Sequence, residues 1–173
     1  MRPRPPDPPD LLSQGARAVR SGRFGELAIE AGFKAYGVRA VNDNREFHFE
    51  GDFWQRKDKF LIRQHQLATG RIVDFLYKNF AIGQTMPIEC KQQMGGGTTD
   101  EKLAYTVDQL EACGHAAFWL VLSGTGFNPD VVKSIDAKIK AINAKGRIKG
   151  RLVHNEFSLM QRAVERLVER NEP

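Results

Sequence analysis

Hydrophobic and polar positions change rhythm along this chain. Between Ala16 and about Tyr36, the apolar residues Phe24, Leu27, Ala28, Ala31 and Ala35 recur at helical spacing and predict a first helix. Gly22, Gly25 and Gly32 interrupt it, which weakens helix propensity or lets a neighbour approach closely. The period then shortens. Strands are expected at Glu46–Phe49, Phe60–Leu67, Arg71–Tyr77 and Met86–Gln93, the last two joined through Lys78–Gly83 as a hairpin. After Gly95-Gly-Gly97, Thr98 and Glu101 have the spacing of a capping box and open a helix to about Cys113, with Leu103, Val107 and Leu110 on one face. Ala116–Leu122 is apolar throughout, as in a strand covered on both sides. Asn128-Pro129 reads as an N-cap followed by proline, starting a helix along Val132, Ile135, Ile139 and Ile142. Arg151–His154 is a short strand, and Glu156–Arg170 a final helix burying Phe157, Met160, Val164 and Leu167. The expected fold is α/β, a mixed β-sheet flanked by helices.

Composition narrows the class. The 173 residues are enough for one core that needs no disulfide. Five of the eight prolines fall in Met1–Asp10, so residues 1–12 are expected to form a disordered Pro-rich tail, with a single domain over 13–173. Cys90 and Cys113 are isolated thiols, and no CxxC pair offers a zinc site. No apolar run has membrane-spanning length and the N-terminus lacks a hydrophobic signal core, so a cytoplasmic location is expected. A net charge of +5 and a pI near 9.4 are compatible with an anionic partner.

One short run carries the chemistry. In Pro87-Ile-Glu-Cys-Lys-Gln-Gln93, strand alternation puts Glu89, Lys91 and Gln93 on one face, with Ile88 and Cys90 on the other. Asp74 stands inside the apolar run Arg71–Tyr77 on the preceding strand, with fourteen residues between it and Glu89. Neighbouring strands lie about 4.8 Å apart, so the two carboxylates can reach one ion. Ionised groups are costly in such strands unless a partner or a metal compensates. Two acids beside a lysine suit divalent-metal hydrolysis of a phosphodiester, with Lys91 orienting or deprotonating the attacking water, Cys90 offering its backbone carbonyl, and Gln93 holding a phosphate or ordering the hydrogen bonds. As structural residues, Asp74 and Glu89 would instead pair with Arg71 or Lys91.

Asp74 followed by Glu89-Cys-Lys91 resembles the PD-(D/E)XK nuclease superfamily, and Glu-x-Lys-x-Gln with Gly97-Thr-Thr-Asp-Glu-Lys102 is similar to a subset that includes type II restriction endonucleases and small phage or bacterial nucleases. Val73 stands where the family name gives proline. The resemblance spans roughly Ala16–Leu122 and implies a restriction-endonuclease-like core. It also implies a metal-dependent endodeoxyribonuclease acting on double-stranded DNA, with Mg²⁺ as cofactor and Mn²⁺ able to substitute, and a homodimer for cutting both strands. The implied metal ligands are Asp74, Glu89, the Cys90 carbonyl and a first-helix glutamate, Glu26, with Glu30 one turn later as the fallback. Other roles remain open: a structure-specific nuclease for junctions or ends in repair or phage DNA processing, or an inactive DNA-binding module.

Two further features bear on nucleic acid. Lys133, Lys138, Lys140, Lys145, Arg147, Lys149 and Arg151 face a single acid, Asp136, in the same stretch, and form a candidate DNA-binding surface. Phe53 and Trp54 beside Arg56, Lys57 and Lys59 suit either core packing or stacking on bases. His48, His65, His115 and His154 have no metal-ligand spacing and read as structural or surface residues.

Overall fold

The computed structural model describes residues 14–42, 58–95, 98–154 and 156–173, and the side chains within them except 14–24 and 157. The Pro-rich tail, the expected strand Glu46–Phe49, His48, the Phe53–Lys57 cluster, Gly97, and the side chains of Phe24 and Phe157 lie outside it.

The chain forms α1 (Gln14–Ala35), β1 (Arg39–Val41), β2 (Lys59–Gln66), β3 (Ile72–Asn79), β4 (Gln84–Gln92), α2 (Thr99–Ala112), β5 (Ala117–Ser123), α3 (Pro129–Ala144), β6 (Lys149–His154) and α4 (Phe157–Arg170). One mixed sheet runs β1-β2-β3-β4-β5-β6. The pairs β2–β3 and β3–β4 are antiparallel, and β1–β2, β4–β5 and β5–β6 are parallel. The antiparallel pairs need only short connections, 67–71 between β2 and β3 and 80–83 between β3 and β4. The parallel pairs β4–β5 and β5–β6 need crossovers, which α2 and α3 provide.

Alternation along the strands feeds two cores. Tyr77, Ile88, Trp119 and Val121 face one way, where they meet Ile29 and Phe33 of α1 and Met160, Val164 and Leu167 of α4. Leu76, Phe118, Leu120 and Leu122 face the other way, against Leu103, Val107 and Leu110 of α2 and Ile135, Ile139 and Ile142 of α3. Phe33 anchors α1 through ring contacts with Tyr77 (5.6 Å) and Trp119 (6.1 Å). Truncating such a fully buried aromatic costs about 3–5 kcal/mol.

The first helix buries a different face from the one its pattern suggested. Leu27, Ala31 and Ala35 are exposed, and the inward stripe is Gly25, Ile29 and Phe33. Alanine and glycine carry little hydrophobic weight, so two large residues four positions apart decide the orientation. Gly25 comes close to Ser123, where an added Cβ would lie 3.5 Å from that residue's own Cβ. The capping box also fails to form: Thr98 holds the cap position of α2 but makes no side-chain cap hydrogen bond, and Glu101 is exposed. The α3 start matches its pattern, with Asn128 Oδ1 accepting from Asp130 N at 2.9 Å and Pro129 beginning the helix.

Candidate active site

The β3–β4 ladder runs from Asn79↔Gln84 to Phe75↔Ile88 and stops. Asp74 and Glu89 come next on their strands. Where the ladder opens, the Asp74 carboxylate takes over a backbone partner's role: its Oδ2 accepts from Cys90 N at 2.7 Å. Opposite, Gln64 of β2 adopts a left-handed φ of 49°, and the β2–β3 pairs on either side of it are Arg63↔Phe75 and His65↔Val73. Strain of this kind in a non-glycine strand residue costs on the order of 1–3 kcal/mol and concentrates at functional sites.

Glu89 is buried, with 6 % of its side chain exposed. One oxygen, Oε1, accepts from Lys91 Nζ at 2.5 Å and from Arg71 Nη2 at 2.9 Å. The other, Oε2, is buried with no hydrogen-bond partner, and so is Arg71 Nε. A buried carboxylate oxygen without a donor is expensive, and this one has none among the described residues. Arg71 is the member of this cluster that strand alternation alone would not select. Its place just before β3 gave it only the standing of a possible ion-pair partner.

Asp74 feels the site most strongly. Burial, then the Glu89 carboxylate, push its pKa from 3.8 up to about 6; the Cys90 amide and Lys91 work against the shift, and Glu26 adds to it. Asp74, Glu89, Lys91 and Glu26 are therefore electrostatic neighbours. The two first-helix candidates separate here. Glu30 is held by Arg63 in a two-pronged pair (Nε–Oε1 2.6 Å, Nη2–Oε2 2.8 Å), with Arg63 Nη1 also donating to Asn42 Oδ1 at 3.1 Å. That is a structural tie from α1 to β2. Glu26 is the acid that reaches Asp74 through space, but among the described residues no three acid, histidine or cysteine side chains converge as a metal-binding group. α1 thus brings Glu26, and not Glu30, into the electrostatic neighbourhood of Asp74.

Cys90 packs beside the α1–α4 core, and burial raises its thiol pKa well above the usual value. Only its backbone is suited to the site. Gln93 lies one residue past the end of β4 and turns to the next loop instead of continuing the row. Its Nε2 donates to Gly126 O at 2.7 Å, its own carbonyl accepts from Gly126 N at 2.8 Å, and its N donates to Ser123 O at 3.0 Å. The fit is tight, since a Cβ on Gly126 would lie 2.4 Å from Gly95 N. Gln93 thus braces the strand end that carries Glu89 and Lys91. Asp100, at the start of α2, reaches the same region and accepts from Asn128 N at 3.2 Å.

Four of the seven basic residues of the run pair with carboxylates. Lys138 pairs with Asp108 (2.6 Å) and Lys145 with Glu111 (2.8 Å), tying α3 to α2. Lys140 pairs with Asp136 and Lys133 with Asp130 on α3 itself. Arg147 and Lys149 lie at the start of β6, the sheet end remote from Lys91, and Arg151 is half-buried on β6. Among the histidines, His115 Nδ1 and Thr85 Oγ1 are 2.9 Å apart, a structural contact.

The donor set suits a hard divalent cation. Asp74, Glu89 and the Cys90 carbonyl are all oxygen donors, and Glu89 Oε2 is a buried oxygen lacking a positive or donating partner. A cation there would also relieve the Asp74–Glu89 repulsion.

A family model for the PD-(D/E)XK nuclease superfamily domain matches residues 17–165, nearly the whole described fold. The chain belongs to that superfamily, and its mixed six-stranded sheet flanked by helices is consistent with the superfamily's nuclease core. Members generally use divalent metals such as Mg²⁺. No curated protein and no solved structure matches the chain. No helix among the described residues is long and apolar enough to cross a membrane.

Proposed function

We propose that this protein is a Mg²⁺-dependent DNA endonuclease that cuts both strands of a duplex in the manner of a type II restriction enzyme. The carrying observation is Glu89: a buried carboxylate with one oxygen bound by two cationic side chains and the other unpartnered, beside a second acid on the adjoining strand. Asp74, Glu89 and the Cys90 carbonyl would hold the ion, with Mn²⁺ able to replace Mg²⁺. Such an ion, when bound, would supply an activated water and offset charge on the scissile phosphate. The chain's own groups do the rest. Cys90 N–H fixes the Asp74 carboxylate, and Arg71 holds Glu89 Oε1 so that Oε2 stays turned away from it. Lys91 Nζ is close enough to the acids to orient the attacking water and to neutralise phosphate charge. Gln93 keeps the strand end in place, and Glu26 adds negative potential from α1. One site per chain cuts one strand, so duplex cleavage calls for a homodimer with its two sites facing opposite strands.

The test is incubation of supercoiled plasmid and long linear DNA with Mg²⁺ or EDTA, with Glu89→Ala in parallel. Discrete Mg²⁺-dependent fragments that vanish in the variant support the proposal; a smear places it among non-specific nucleases. Cutting of branched DNA alone would replace restriction by junction or end processing. Cutting that persists undiminished in Glu89→Ala refutes the site.

A further inference from the structure

At the sheet edge, β6 and α4 enclose a groove of about 350 Å³. Arg151 and His154 line it from β6, and Leu159, Arg162, Ala163 and Arg166 from α4. Arg162 and Arg166 are exposed and one helical turn apart, so they share a face of α4 with about 6 Å of rise between them. Arg151 is half-buried opposite, where burial and the Arg166 charge both lower its pKa and only Glu172 counters them. None of the three guanidinium groups has an ion-pair partner among the described residues. The lysines of α3, by contrast, are tied to carboxylates. Gathering three cations around one concavity whose lining residues include no acid, with Glu172 acting on Arg151 alone, favours entry of an anion.

The groove also has a fixed relation to the acids. Lys91 is level with Leu122 of β5, and Leu122 with His154 of β6. Two strand spacings, about 10 Å, therefore separate His154 from Lys91. Arg151, about 10 Å further back along β6 and level with Trp119, belongs to the α1–α4 side of the sheet, opposite the face that carries Glu89 and Lys91. A strand leaving the acids would thus reach the arginines around the β6 edge. Arginine forks bind phosphate oxygens in pairs, which suits an extended phosphodiester better than a single point charge would.

We infer that this groove binds the phosphate backbone of the DNA flanking the cut, making Arg162, Arg166 and Arg151 the main phosphate contacts in place of the α3 lysines. The inference rests on the nuclease reading for its ligand. Arg162→Gln combined with Arg166→Gln keeps the side-chain stems and removes both charges. Binding of a fluorescein-labelled duplex in EDTA, followed by anisotropy across a salt series, should show weaker binding. The slope of log K against log salt should fall by about 1.8, or about 0.9 per lost phosphate contact. In Mg²⁺, KM should rise with kcat nearly unchanged, because neither arginine touches the acids. Helix content and the urea midpoint establish that the variant is folded; were the double variant unfolded, each single variant should lower the slope by about half as much. A folded variant with unchanged affinity and slope overturns the groove, even if the wild type cleaves normally. A wild type that binds duplex with the expected slope loss in the variant, yet never cleaves, overturns the nuclease reading and leaves the groove standing.

Discussion

Asp74→Asn should make the metal-free protein more stable while abolishing cleavage. In the folded chain, burial and Glu89 raise the Asp74 pKa from 3.8 to about 6. A carboxyl that holds its proton more tightly when folded than unfolded adds stability at low pH and loses it as pH rises through that window. Between pH 3.8 and about 6 the wild type therefore sheds stability. The loss is about 3 kcal/mol at 1.36 kcal/mol per pKa unit, an upper bound because the site can relax. Asparagine keeps an oxygen to accept from Cys90 N and carries no charge to repel Glu89. Urea unfolding in EDTA at pH 4 and at pH 8 measures the difference. The variant should match the wild type at pH 4 and exceed it by about 1–3 kcal/mol at pH 8, other carboxylates cancelling in the comparison. Mg²⁺ should then raise the wild-type midpoint more than that of the variant, since a ligand stabilises only the state that binds it. A variant less stable than the wild type at pH 8, or a difference that does not change with pH, would refute the reasoning.

The neighbouring acid should respond with the opposite sign. Glu89→Gln leaves Arg71 and Lys91 poorly compensated in a largely buried site and should cost about 1–3 kcal/mol in urea unfolding, in addition to cleavage. The first-helix glutamates should divide stability from activity: Glu30→Ala should lower the melting midpoint through loss of the Arg63 tie while cleavage by the folded protein persists. Glu26→Gln should slow cleavage with little change in stability, and equal activity in both variants would remove Glu26 from the site. Gly126→Ala sets a Cβ against the Gly95 backbone, at 2.4 Å from its N, and should destabilise the protein by about 1–3 kcal/mol and reduce activity through Gln93; a thermal midpoint equal to wild type would sink that account.

Several elements were readable because their signals are local. The all-apolar Ala116–Leu122 run became a strand buried on both faces, and Asn128-Pro129 capped α3 through its own side chain. The Asp74 and Glu89-x-Lys91 constellation was legible too, since strand alternation and a charge in an apolar run need no partner to be noticed. Other features depend on distant neighbours. β1 is three residues long, too short for a periodic signal, and exists by pairing with β2. The α1 stripe was misjudged because Leu27, Ala28, Ala31 and Ala35, small or exposed, outvoted Ile29 and Phe33 in the pattern, whereas the sheet selects the face with the largest side chains.

By itself, the sequence determined the order of helices and strands, the α/β class and the residue types able to run metal-assisted hydrolysis, because backbone periodicity and side-chain chemistry are properties of neighbours along the chain. Tertiary structure decided which of those residues act together. It set Arg71 against Glu89, turned Gln93 to the Gly126 loop and gave Glu30 to Arg63 while leaving Glu26 near Asp74. It also tied the α3 lysines to acids and gathered three arginines at the β6 edge. The physical reason is range: charge and hydrogen-bond energies fall off over a few ångströms, and only folding brings residues far apart in sequence within that distance.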